Sequence, residues 1–390
     1  MMRSHRRTEW LWKIALVLIC VWICPLSSDS QPSVPAVSQS HTLWLTAAKQ
    51  LGYEGLLEDF SFTVGGDVVK VQFLDDQQLA LAWITPDQPT KPAGRVIHVP
   101  SHLHLKVLDA QTGHELSSHE WACTSFGVNL AHTEKGQWVL ANEESVALYS
   151  STFDKVNELQ NLHVSQSEFL SPSGRTFLTF NSDSQGKPLY QLRDSATFGV
   201  LDSWGNAQVA KASFVYSDHF ILARVAGKPP QFFIREMGKN WNSFVQPQAG
   251  TYPMYRFLDD DTLLRLFWGD QLIVETITGK ELFRQTVPNT DLFSRSPLAT
   301  SSGADRFALI FQRMKGVENE LIDLRYLADG RVIVFSVSQK RVISTVKAYG
   351  KSPLDWTNHY AWNRIALSPN GLLLAVISDK EAQVYALPSD

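Results

Sequence analysis

The chain has 390 residues, of which 19% are charged and 11% aromatic, with 22 Gly and 18 Pro. That composition is of a globular, turn-rich protein with a sizeable core, and it excludes a disordered or fibrous chain. Net charge is −4, and beyond residue 30 there are 31 basic against 37 acidic residues, which leaves no basic face for nucleic acid.

The first thirty residues have the three parts of an export signal. A basic stretch, Met1 to Lys13, precedes the apolar run Ile14 to Cys24, and Pro25 ends it. Ser28 and Ser30 have the spacing that a signal peptidase reads, so cleavage after Ser30 is expected, with cleavage after Ala36 as the alternative. Trp10, Leu11 and Trp12 extend the apolar run toward the length a bilayer requires, so retention as an anchor stays open. Arg6-Arg7 departs from a twin-arginine signal because Glu9 stands where an apolar residue belongs. Cys20 and Cys24 each follow Ile, unlike a lipoprotein acylation site. Removal of the leader leaves Cys123 as the one cysteine, so no intramolecular disulfide forms. The expected location is extracytoplasmic, periplasmic or secreted, with membrane association only if the leader is retained.

Residues 31–66 read as a flexible Ser/Pro/Gln-rich linker followed by an N-terminal closing segment. Within it, Leu45–Leu51 is a candidate short helix. Residues 67–390 then alternate short apolar runs with turn residues to the end.

Those runs repeat. A strand followed by a tight polar turn ends at Asp109, Tyr149, Asp194, Arg235, Glu275 and Ser336, with gaps of 40, 45, 41, 40 and 61 residues. The long last gap contains an insertion at Arg313–Glu320. Upstream of each lies an apolar hairpin: Val69–Phe73 with Leu79–Trp83, Val128–Leu130 with Trp138–Ala141, and Phe169-Leu170 with Phe177–Phe180. The series continues with Phe214–Tyr216 and Phe220–Ala223, Tyr255–Phe257 and Leu263–Leu266, Phe307–Phe311 after Gly303-Ala304, and Ile365–Leu367 with Leu373–Val376. Pro, Gly and Asp at the corners preset tight turns. A period of about 40–45 residues with four strands each is the mark of propeller blades, and seven hairpins predict seven blades.

Ser368-Pro369-Asn370-Gly371-Leu372-Leu373-Leu374-Ala375, followed by Gln383-Val384-Tyr385-Ala386-Leu387, resembles the core of a WD-repeat-like propeller, and Ser171-Pro172-Ser173-Gly174 repeats its first half. The Trp-Asp dipeptide of typical eukaryotic WD repeats is missing, so the nearer resemblance is to divergent bacterial propellers. The resemblance implies an all-β fold, a single β-propeller of about seven four-stranded blades. The chain stops soon after the third strand of its last blade. Since a bare sheet edge invites aggregation, a strand from Phe60–Val64 or His41–Leu45 is expected to complete that blade.

Candidate chemistry is sparse. His98, His102 and His104 form the tightest histidine cluster, and His102 and His104 share one face of a strand. Pro100 interrupts the strand before them and no carboxylate or cysteine follows at ligand spacing, so exposed strand and loop histidines are expected rather than a metal site. Asp75-Asp76 and Asp259-Asp260-Asp261 fill the same hairpin corner, where Asp is a turn residue. Asp109-Ala110-Gln111-Thr112-Gly113 resembles the turn signature of quinoprotein propellers, but Ser117 stands at its Trp position, so a hairpin between third and fourth strands is the expectation. Trp83, Trp138, Trp204, Trp268 and Trp362 are expected to pack between blades, and Cys123 to be a small buried hydrophobe. No nucleophile elbow, zinc-protease motif or phosphate loop occurs.

No catalytic, cofactor-binding or metal residue is therefore assigned, and no cofactor is expected. The expected function is that of a monomeric, exported propeller scaffold, binding a protein or other extracytoplasmic ligand through loops such as Ile84–Gly94 and Arg313–Glu320. The alternative is an extracytoplasmic enzyme, a lactonase or other hydrolase, with its site at the axial channel.

Overall fold

The computed structural model describes residues 40–53, 68–87, 100–124, 128–142, 145–164, 169–182, 188–205, 212–227, 230–244, 254–266, 271–286, 298–314, 327–347, 364–378 and 381–389. All lie in the compact unit Ser38–Asp390. The leader, nearly all of the predicted linker, Phe60–Val64, His98, Trp268 and Trp362 fall outside the described residues.

The chain begins with strand β1 (His41–Ala47) and a single helical turn, α1 (Ala48–Leu51). Blade 1 follows as β2 (Val68–Phe73), β3 (Gln78–Pro86), β4 (Pro100–Asp109) and β5 (Glu115–Thr124). Blade 2 is β6 (Asn129–His132), β7 (Trp138–Ala141), β8 (Ser145–Tyr149) and β9 (Lys155–Gln160). Blade 3 is β10 (His163–Val164), β11 (Thr176–Ser182), β12 (Pro188–Asp194) and β13 (Val200–Trp204). Blade 4 is β14 (Ala212–Tyr216), β15 (Phe220–Val225), β16 (Gln231–Glu236) and β17 (Asn242–Phe244). Blade 5 is β18 (Met254–Phe257), β19 (Thr262–Leu266), β20 (Gln271–Thr276) and β21 (Glu281–Thr286). Blade 6 is β22 (Leu298–Thr300), β23 (Arg306–Met314), β24 (Leu327–Ser336) and β25 (Arg341–Lys347). Blade 7 has β26 (Ile365–Leu367), β27 (Leu373–Ile377) and β28 (Glu381–Ala386).

Each sheet is antiparallel and four-stranded, and the fourth strand of blade 7 is β1, in the order β1-β28-β27-β26. The register runs from His41 opposite Ala386 to Ala47 opposite Glu381, with a bulge between Thr42 and Trp44. Closure therefore comes from the His41–Leu45 candidate.

The seven blades form a ring because each sheet buries both faces against its neighbours. In β27 every residue is buried: Leu373, Ala375 and Ile377 join the cluster shared with blade 1, and Leu374 and Val376 the one shared with blade 6. Such a strand reads as a continuous apolar run rather than an alternating one, the two faces being separated only by the period of two. Five further junctions follow the same rule, so that clusters join all consecutive pairs around the ring. Trp83, Trp138 and Trp204 sit in three of these junctions, as expected.

Three expectations need correction. The candidate helix Leu45–Leu51 begins only at Ala48, because β1 continues through Ala47 to pair with β28, and Gly52 ends the helical turn at φ 99°. The inner strand of blade 3 is His163–Val164 rather than Phe169-Leu170, whose residues form a bend; the Phe169 carbonyl accepts the Tyr216 hydroxyl at 2.9 Å. The two loop insertions begin later than expected, since Ile84–Pro86 and Arg313-Met314 extend β3 and β23.

Candidate functional site

Antiparallel order puts the corner between first and second strands at one end of each blade, with the third-to-fourth turn beside it. The hairpin between second and third strands lies at the other end. On that other end blades 1 and 6 reach furthest: β3 and β4 have 9 and 10 residues, as do β23 and β24. These two blades flank blade 7, so one face of the ring carries two projecting hairpins on either side of the closing blade.

The projecting part of blade 1 holds the histidine cluster. Register places His104 opposite Glu120 and His102 opposite Ala122, two residue pairs further out. Glu120 faces both rings, 2.6 Å from His102 Nδ1 and 3.1 Å from His104 Nδ1, and Asp87, just past β3, lies 3.1 Å from His102 Nε2. Both nitrogens of His102 thus address carboxylate oxygens. Behind them His104 stacks on Trp83, with ring centroids 5.4 Å apart and planes at 20°. Burial, aided by His102 and Lys106, holds the His104 imidazole below its ordinary range, while Glu120 pulls the other way. The two carboxylates come from neighbouring strands, so no spacing along β4 announces them. Among the described residues no group of three or more His, Cys, Asp or Glu has the geometry to hold a metal ion.

At the opposite face the acidic corners are structural. Asp75 Oδ1 accepts the Gln77 and Gln78 N–H groups at 2.7 and 2.8 Å, and Asp259 Oδ1 those of Asp261 and Thr262 at 2.9 and 2.7 Å. Their neighbours reach across to the preceding blade. Asp76 accepts the Asn370 N–H at 2.9 Å, and Asp260 the Asp218 N–H at 3.1 Å. Asp218, 5% exposed, accepts the hydroxyls of Ser171, Ser173 and Thr176 at 2.7, 2.7 and 3.1 Å. The turn reading of these acids is therefore incomplete: they also fasten blade to blade.

Asp109-Ala110-Gln111-Thr112-Gly113 is the turn between the third and fourth strands of blade 1. Asp109 Oδ1 accepts from Gln111 N, Thr112 N and Thr112 Oγ1, and the Thr112 bonds hold its carboxyl below the usual range. A tryptophan does pack on this turn, but it is Trp44 from β1. Cys123 is partly buried beside the cluster of blades 1 and 2, and burial pushes its thiol up to about 11, which leaves it an inert small hydrophobe.

The innermost strands carry Lys70 and Arg256, with Arg364 just before β26, and among the described residues of these strands there is no Asp or Glu. Burial pushes the Lys70 amine down to about 8.

Seven four-stranded blades around an axis, closed by an N-terminal strand, define a seven-bladed β-propeller. Solved structures agree. Raptor from Chaetomium thermophilum matches 90% of this chain at 11% identity with a TM-score of 0.55, and the chain spans 29% of Raptor's length. The C-terminal WD40 domain of Sif2 (83% of this chain, 97% of that one, 11% identity, TM-score 0.43) and a chain of the mitotic checkpoint complex (90%, 96%, 10%, 0.48) also match. At these identities the likeness is one of fold. No protein-family model and no curated protein sequence matches the chain.

Proposed function

We propose that this chain is an exported propeller that acts as a binding scaffold, holding a protein or other extracytoplasmic ligand on the face that bears the two projecting hairpins. Export rests on the basic stretch, apolar run and cleavage spacing of residues 1–30. Binding rests on one observation above all, the extension of blades 1 and 6 on either side of blade 7. A rigid ring that spends extra strand length at two places on one face is built to present the loops those strands carry. WD40-type rings serve as interaction platforms in other proteins, and fold likeness transfers no particular partner.

The test replaces residues 88–99 and 315–326 by short turns and compares cross-linked partners of wild-type and shortened protein in the extracytoplasmic fraction. Loss of a specific partner with the ring still folded is the expected outcome; an unchanged partner set overturns the reading. N-terminal sequencing of the exported chain decides between cleavage after Ser30, cleavage after Ala36 and retention.

A second reading, an enzyme acting at the axial channel, draws on Lys70, an amine with a pKa near 8 on an innermost strand. Lactone or ester hydrolysis that disappears in Lys70→Met supports it, and hydrolysis indifferent to that substitution removes it.

A further inference from the structure

The corner turns give a common ruler for the innermost strands. The first corner residue donates its backbone N–H across the turn in each blade, Leu74 to the Gln78 carbonyl, Thr133 to Gln137 and Ser368 to Leu373. Four residues back from these lie Lys70, Asn129 and Arg364. The three thus share one level on the consecutive blades 7, 1 and 2, and β2 packs beside both β26 and β6.

Their direction follows from the period of two. Gln72 exchanges hydrogen bonds with the backbone of His132, donating to its carbonyl at 3.3 Å and accepting its N–H at 3.2 Å, so this face of β2 looks toward blade 2. Lys70, two residues earlier, shares that face. Ala366 packs in the cluster of blades 7 and 1, so Arg364, two residues before it, is turned toward blade 1. This level is at the end of the strands remote from the corners, on the face that bears the projecting hairpins.

The charge at that level is unbalanced. Arg364 is 2% exposed, and among the described residues neither Arg364 nor Lys70 has an ion-pair partner. Burial is the one cause that depresses the Lys70 amine. A guanidinium withdrawn from water keeps its charge and favours a counter-anion, and its planar fork matches an oxyanion.

We propose that the channel mouth between blades 7 and 1 binds an oxyanion, the carboxylate or phosphate group of a ligand, with Arg364 supplying the fork and Lys70 a second positive charge. The proposal rests on the binding reading above and names the chemistry of the group recognised.

The probes are inorganic phosphate and succinate, each against chloride at constant ionic strength, so that general screening is matched. Lys70 is followed by carbon-13 NMR after reductive methylation of the intact protein. An anion seated beside the amine raises its titration midpoint by about half a pH unit or more. Arg364→Gln should abolish that rise while thermal unfolding stays cooperative. Should Arg364→Gln not fold, calorimetry of the same anions with Lys70→Gln replaces it, and at least a tenfold loss of affinity is expected. A response to phosphate alone identifies a phosphorylated ligand, and a response to succinate alone a carboxylated one. A Lys70 midpoint unmoved by both anions overturns the proposal, as does a rise of equal size in Arg364→Gln or an undiminished affinity in Lys70→Gln. An anion response that survives together with a partner set unaffected by hairpin shortening removes the scaffold reading and leaves the oxyanion site standing.

Discussion

The indole Nε1 of Trp44 donates to the carbonyl of Ala110 at 2.9 Å, joining the strand that closes blade 7 to the third-to-fourth turn of blade 1. Trp44 is 8% exposed and packs among residues of both blades. Gly113 makes the contact possible. Its φ of 74° favours glycine, and a Cβ there would lie 2.8 Å from Trp44 Cδ2.

Trp44→Ala removes both the packing and the hydrogen bond, and is expected to cost about 3–5 kcal/mol. Trp44→Phe keeps most of the apolar contact and loses the donor, for about 1–2 kcal/mol. Gly113→Ala should destabilise as well, through strain in the turn and the close approach. Urea unfolding midpoints order the three variants; a Trp44→Ala protein as stable as wild type rules out the clasp.

Deletion of Gln31–Gly66 removes β1 and leaves β28 as a bare edge. The expected result is loss of the cooperative unfolding transition, with gain of aggregation. Adding residues 31–66 back as a separate peptide should restore part of it, measured by circular dichroism on heating.

Asp218 draws together three hydroxyls of blade 3. Asp218→Ala strands those donors in a nearly buried place, at a cost of about 2–4 kcal/mol. Ser173→Ala, which removes one donor and keeps the carboxylate, should cost about 1 kcal/mol. Equal effects of the two substitutions would show that Asp218 is not the hub.

Lys70 gives a dependence on pH with a definite sign. Its folded pKa is lowered from 10.5 to about 8, so the folded chain prefers the neutral amine. Its contribution is most favourable above the unfolded value, is lost as pH falls through the folded one, and is constant below that. Lys70→Met should therefore stabilise the protein at pH near 7, by about 1–2 kcal/mol after allowance for partial exposure. The gain should fade as pH rises between about 8 and 10.5. Chemical denaturation of both proteins in chloride buffers across that range checks it, and a gain independent of pH contradicts the assigned cause.

Blade number and most strand positions are readable along the chain, and so is the need for a closing strand, although the sequence left that strand between His41–Leu45 and Phe60–Val64. Each inner strand and corner recurs locally, as in Ile365–Leu367, Ser368-Pro369-Asn370-Gly371 and Leu373–Ile377, and a sheet buried on both faces leaves an apolar run that needs no partner to be recognised. Where the local signal is weak the reading slips, as at Phe169, whose carbonyl is taken by Tyr216 of the next blade instead of a ladder partner.

The pairings between residues far apart belong to the tertiary structure. Glu120 meets His102 and His104 only through the register of β4 with β5, Asp76 meets Asn370 only when the ring closes, and Arg364 and Lys70 reach one level only because blade 7 ends beside blade 1. Hydrophobic periodicity is a property of a few neighbouring residues and so is written into the sequence. Charge contacts depend on distances between strands, which only the packed ring determines.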